Sequence, residues 1–119
     1  MAGRFPLFTD IDVDGPLIKG LIRRGWDVVR AVDVLPGDTV DDVLFEYAVE
    51  KKRIFVTNDK LIHRIATRWM KEQRPFHGMV YWRKVQQERM TRGDMIESFE
   101  AFAREEDPFN YPIRYITPK

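Results

Sequence analysis

The chain has 119 residues, of which 44% are hydrophobic and 33% charged, with a net charge of +1; this favours one globular domain with a modest core. It has no cysteine, which excludes disulfides, thiolate metal sites and a cysteine nucleophile and fits a reducing compartment. No apolar run nears the roughly 18 residues of a membrane span and no signal-type leader is evident, so a cytoplasmic place without a membrane partner is expected, and nucleic-acid binding has to come from local basic patches.

The apolar pattern alternates between two periods. Residues 5–9, Phe-Pro-Leu-Phe-Thr, read as a short buried strand. Asp14-Gly15-Pro16 reads as a helix start, with Leu17, Ile18, Leu21 and Ile22 as its apolar stripe and Gly25 as its stop. Trp26 to Val34 reads as a second strand, and Pro36-Gly37 as a turn. Asp38 or Thr39 is placed to cap the next helix, where Thr39-Val40-Asp41-Asp42 resembles a capping box. Its apolar face is expected to hold Val40, Val43, Leu44, Tyr47 and Ala48. A third strand follows at 53–57, then a helix after Asp59 with Leu61, Ile62, Ile65, Ala66, Trp69 and Met70 on one face. Gly78 to Trp82 reads as a fourth strand, Thr91 to Asp94 starts a last helix, and Ile113 to Ile116 reads as a fifth strand. This order, βαβαβαβαβ, predicts an α/β fold: a single-domain three-layer αβα sandwich with a largely parallel sheet of about five strands.

In such a fold, ligands bind beyond the carboxyl ends of the strands. Asp10 and Asp12 follow the first strand, Asp59 follows the third, and Asp41 lies in the first turn of the helix leading into the third. Carboxylates gathered in one place repel one another. The usual compensation is a hard divalent cation with oxygen ligands, Mg²⁺ or Mn²⁺. The bland alternatives are helix roles: Asp59 and Asp14 as N-caps, and Asp41 and Asp42 as acids favoured by the helix dipole. Thr57 and Asn58 add polar groups at the third strand's end. Lys60, Arg64, Arg68 and Lys71 form a basic stripe beside Asp59 that either tracks a phosphate backbone or is a solvated helix face. Trp82, Arg83 and Lys84 could add a stacking group and positive charge. No glycine-rich phosphate loop is present.

Four segments in register resemble the short prokaryotic PIN-like family. Its Leu-Leu-Asp-Glu-Asn-Leu motif corresponds to Phe8-Thr9-Asp10-Ile11-Asp12-Val13, followed by Arg24-Gly25-Trp26-Asp27-Val28 where the family has Arg-Gly-His-Asp-Val. Val40-Asp41-Asp42-Val43-Leu44, then Ala48, stands at its Ser-Asp-Glu-Glu-Ile motif. Val56-Thr57-Asn58-Asp59-Lys60 matches Val-Thr-X-Asp-Lys. The resemblance covers about residues 5–82 and implies a flap-nuclease-like fold and a Mg²⁺- or Mn²⁺-dependent ribonuclease acting on single-stranded RNA. Asp10, Asp41 and Asp59 would be the catalytic metal ligands, with Asp12 assisting, and Thr57, Asn58, Lys60, Arg64 and Arg68 would bind substrate. It implies the toxin of a toxin–antitoxin pair, with an antitoxin protein and a homodimer as partner expectations. Ile11 and Asp12 depart from the motif's Glu-Asn, and the further glutamate of full PIN domains has no evident counterpart. Two other readings stand beside it: a PIN-like binding module without catalysis, and a phosphoacceptor receiver-like domain. The receiver reading needs Ser or Thr after the fourth strand, where this chain has Tyr81-Trp82-Arg83.

Overall fold

A computed structural model describes residues 3–119. The strands are β1 (Leu7–Thr9), β2 (Val28–Arg30), β3 (Ile54–Thr57), β4 (Met79–Tyr81) and β5 (Ile113–Tyr115). The helices are α1 (Gly15–Arg23), α2 (Ala31–Val34), α3 (Asp41–Glu50), α4 (Lys60–Lys71), α5 (Lys84–Gln87) and α6 (Arg92–Arg104). The five strands form one parallel sheet in the order β2-β1-β3-β4-β5. Helices cover both faces, which gives the three-layer αβα sandwich.

Strand alternation divides the core in two. Leu7, Val56, Val80 and Trp82 face α1 and α6, where they pack with Leu17, Leu21, Trp26 and Phe99. Phe8, Phe55, Met79 and Tyr81 face α3 and α4, where they pack with Leu44, Phe45, Ile62 and Trp69. Both faces are buried, so the strands read as continuous apolar runs.

The crossovers do not all share one hand. From β1, α1 carries the chain outward to β2 on one face, while α3 and α4 carry it in the opposite direction on the other face. Those three connections have the same hand. α6 carries the chain from β4 to β5 in the direction of α4, yet it packs on the α1 face, where Ile96 sits against Gly20. Its hand is therefore opposite, a rare arrangement in parallel sheets. On that face α6 covers Val80, Trp82 and Ile116, which α1 alone does not reach across the sheet to cover.

Four local expectations are corrected. The second strand is limited to Val28–Arg30, and Ala31–Val34 coils into a helical turn. β2 pairs only with β1, and the last register pair is Thr9 with Arg30. Past Arg30 no strand offers hydrogen bonds, so the backbone closes on itself, with the Leu35 amide donating to the Ala31 carbonyl at 2.9 Å. The expected capping box at Thr39 is absent. The N-cap of α3 is Val40, which has no side-chain cap, while the Thr39 hydroxyl donates to the Pro36 carbonyl. The buried stripe of α3 is Leu44, Phe45 and Ala48; Val40 and Val43 are exposed. Ile22 and Leu61 are likewise exposed rather than core.

Candidate functional site

β1 and β3 are neighbours in register, so Asp10 arrives level with Thr57 at the carboxyl edge of the sheet. The Asp10 amide extends the ladder by one bond to the Val56 carbonyl at 3.0 Å. Asp10 and Thr57 follow the alternation set by Phe8 and Phe55, which turns both toward the α3 and α4 face. The Thr57 hydroxyl donates to Asp10 Oδ2 at 2.7 Å, and the Ile11 amide donates to Asp10 Oδ1 at 2.8 Å. The same Thr57 oxygen accepts the Asp59 amide at 3.0 Å. Asp59 caps α4, with its Oδ1 accepting the Leu61 amide at 2.8 Å.

Asp41 reaches the same edge from α3. It precedes Leu44, Phe45 and Ala48 by three, four and seven residues, so it lies on the helix's core-facing stripe, at its upper end. Asp42 is rotated away about 100°. It is exposed and binds Arg68 at 2.7 Å. The heads of two adjacent helices and the end of one strand thus place Asp41, Asp59 and Asp10 at one edge of the sheet.

The electrostatics follow from that arrangement. Asp10 is only 8% exposed. Burial holds its carboxyl above the ordinary range; the bonds from Thr57 and Ile11 counter this, and the charges of Asp59 and Asp12 add to it. Asp41 is raised as well, first by burial and then by the charges of Asp59, Asp10 and Asp42. No Lys or Arg forms an ion pair with Asp10, Asp41 or Asp59 among the described residues.

Other candidate residues are distributed differently. Asp12 lies on an exposed turn after β1, with the Val13 amide bonded to the Asp10 carbonyl at 3.2 Å. Thr57 stands among the acids, whereas Asn58 turns to the opposite face, where its amide donates to Gln87 Oε1 at 3.1 Å. Trp82 Nε1 donates to the same oxygen at 2.9 Å, which ties the indole into the core and away from a stacking role. Arg68 is engaged by Asp42, so Lys60 and Arg64 are the cations of the α4 stripe nearest Asp59 without a carboxylate partner among the described residues. Asp14 caps α1 by accepting the Leu17 amide at 3.0 Å and pairs with Arg92 at 2.6 Å.

Sequence reasoning missed Tyr81. It ends β4 opposite Thr57, and the charge of Asp59 helps raise its phenol, after the larger effect of burial. Its place at the end of a buried strand was the available signal. The short helix α5, which closes over Asn58, had none, because Lys84-Val85-Gln86-Gln87 shows no periodic pattern.

No protein-family model matches the chain, and no curated protein or solved structure gives a significant match to it.

The donor chemistry suits a hard divalent cation. Asp10, Asp41 and Asp59 supply only oxygen, repel one another and have no basic partner among the described residues, and each carboxylate keeps lone pairs beyond those used in its hydrogen bonds. The spacing is more open than a closed metal site: no three His, Asp or Glu side chains are near enough to hold one ion among the described residues.

Proposed function

We propose that the chain is a metal-dependent ribonuclease of the PIN-like type. The observation that carries this reading is Asp41. It is a polar residue on the buried stripe of α3, raised by burial and by Asp59 and Asp10, with no hydrogen-bond partner among the described residues. The helix dipole favours an acid in this turn, as it does the exposed Asp42, but the inward place of Asp41 adds repulsion from Asp59 and Asp10 that a cation would relieve. Asp10, Asp41 and Asp59 would hold Mg²⁺ or Mn²⁺, with Asp12 at the rim. The bound ion would lower the pKa of a water it holds and would offset charge on a phosphate. Thr57 would fix Asp10 and orient Asp59, and Lys60 and Arg64 would attract the phosphate backbone. A toxin role, with an antitoxin protein or a second copy as partner, rests on the motif resemblance alone.

Asp59→Asn tests the reading, because asparagine caps a helix about as well as aspartate. Without metal the variant is expected to be as stable as wild type or more so. The rise in melting temperature produced by millimolar Mn²⁺ should shrink, since stabilisation follows RT ln(1 + [L]/Kd), and Mn²⁺-dependent cleavage of a mixed single-stranded RNA pool should fall. An equal Mn²⁺ shift in both proteins removes Asp59 from metal binding. A second reading, a PIN-like binding module without catalysis, is favoured by the open spacing of the acids. It predicts no Mn²⁺ shift and intact RNA. The strand order is shared with flavodoxin-like and receiver folds. Against a receiver, β4 ends in Tyr81 where a hydroxyl-bearing Ser or Thr is needed, and Thr57, rather than an aspartate, ends β3.

A further inference from the structure

Beside Asp59, a cleft of 440 Å³ opens between the first turn of α4 and the turn of α5, a volume within the range of small-ligand pockets. Its walls are apolar: Leu61 and Val85, with the largely buried Tyr81 between them and the core. Leu61 is 48% exposed and Val85 71% exposed, and neither belongs to a core cluster. The rim is cationic. Lys60, Arg83 and Lys84 line it, and none has a carboxylate partner among the described residues. Asp59 is the single acid lining it. Asn58, 8% exposed, also lines it, with its amide nitrogen held by Gln87, which leaves its carbonyl oxygen without a protein donor among the described residues.

Apolar walls, an excess of positive charge and one fixed acceptor match a flat heterocycle that carries a phosphate. Leu61 and Val85 give a base an apolar surface, beside the small part of Tyr81 that the core leaves exposed. The cations bind phosphate oxygens through charge-assisted hydrogen bonds, and the Asn58 oxygen can accept from a base N–H. A bare phosphate or sugar phosphate would use only the rim. We propose that this cleft binds a nucleoside 5′-monophosphate unit, the base on the Leu61 and Val85 walls and the phosphate on Lys60, Arg83 and Lys84. The inference deepens the ribonuclease reading, since a nucleotide held there lies beside Asp59, but its binding requires no metal.

The test is calorimetric titration of the full chain in chelator with the four common ribonucleoside 5′-monophosphates, ribose 5-phosphate and inorganic phosphate. At least one nucleotide should bind ten-fold or more tightly than ribose 5-phosphate, and its affinity should fall as salt rises. Val85→Asn replaces an exposed side chain without adding charge and should retain the wild-type melting temperature. It should weaken the nucleotide at least ten-fold and leave ribose 5-phosphate little changed, whereas Lys84→Glu should weaken both. Equal affinity for nucleotides and ribose 5-phosphate, no binding at all, or an unchanged nucleotide affinity in Val85→Asn overturns the proposal. Nucleotide binding by a protein that never cleaves RNA overturns the nuclease reading alone. Cleavage without a preference for nucleotides over ribose 5-phosphate overturns this one alone.

Discussion

Thr57→Val should be among the most damaging conservative changes in the chain. The Thr57 hydroxyl donates to buried Asp10 and accepts from the Asp59 amide. Valine has the same shape but neither function. Leaving a buried polar group without its partner costs about 1–3 kcal/mol, so the denaturation midpoint should fall by that amount, and Asp10 should become still harder to ionise. Thr57→Ser keeps the hydroxyl and should restore most of the loss; a valine variant as stable as wild type would remove the bond from any structural role. Asp41 gives the opposite sign. Its carboxyl is raised in the folded chain, so the native state binds the proton more tightly than the unfolded state does. Stability is then lost as pH climbs from the ordinary carboxylate value, about 4, through the raised native one. Without metal, Asp41→Asn should match wild type well below pH 4 and match or exceed it at neutral pH. The check is melting temperature against pH for both proteins. A gap that opens at low pH and closes at neutral pH would contradict the burial of this acid.

Among the elements, β4 depends on the residue that opens it. Gly78 has φ +149°, and a Cβ there would lie 2.5 Å from the Phe109 ring and 2.9 Å from Ile54. Phe109 stacks edge-on against Phe5, and Phe5 against Trp26. Gly78→Ala therefore strains the backbone and pushes a ring out of a connected aromatic row. Overpacking and an unfavourable backbone each cost about 1–3 kcal/mol, so a loss of about 2–6 kcal/mol is expected in equilibrium unfolding; a loss under 1 kcal/mol would mean that the loop at 105–112 simply moves aside. The main strands and helices could be read from the sequence because each apolar run ends in a residue that breaks it: Asp10, Gly25, Asp59, Pro75. The boundaries that failed are set by partners distant in sequence. β2 stops where β1 stops offering a ladder, which no residue of 26–34 announces. The stripe of α3 was misread because Val40 and Val43 are as apolar as Phe45, and only the sheet decides which of them it covers. With the stripe at Leu44, Phe45 and Ala48, Asp41 falls in line with it, and its inward place becomes readable from the helix alone.

At the scale of the whole molecule, the parallel sheet and its βα alternation follow from the pattern, but the face that α6 chooses does not. The usual hand would put it beside α4, leaving Val80, Trp82 and Ile116 under-covered on the α1 face. That is a demand of the assembled sheet rather than of residues 92–104. The candidate site shows the same division. That Asp10, Asp41 and Asp59 share one edge of the sheet was legible from strand ends and a helix start. That Asn58 turns away to Gln87 while Thr57 stays among the acids became visible only with the side of the sheet fixed by Phe55.

The hydrogen bond between Thr57 and Asp10 spans 47 positions of the chain. Two acids belonging to segments so far apart cannot feel each other in the unfolded chain, and closing a long loop is a slow, entropically costly event. Their repulsion therefore enters late, once β1 and β3 are paired and the heads of α3 and α4 have settled on them. An ion that relieves it should act as a clasp on the finished structure rather than as a seed for building it. Manganese should slow unfolding and leave the refolding rate almost unchanged, as expected for interactions absent from the transition state. Stopped-flow traces with chelator and with Mn²⁺ would decide it, and a metal that speeds refolding instead would mean that the acids meet early.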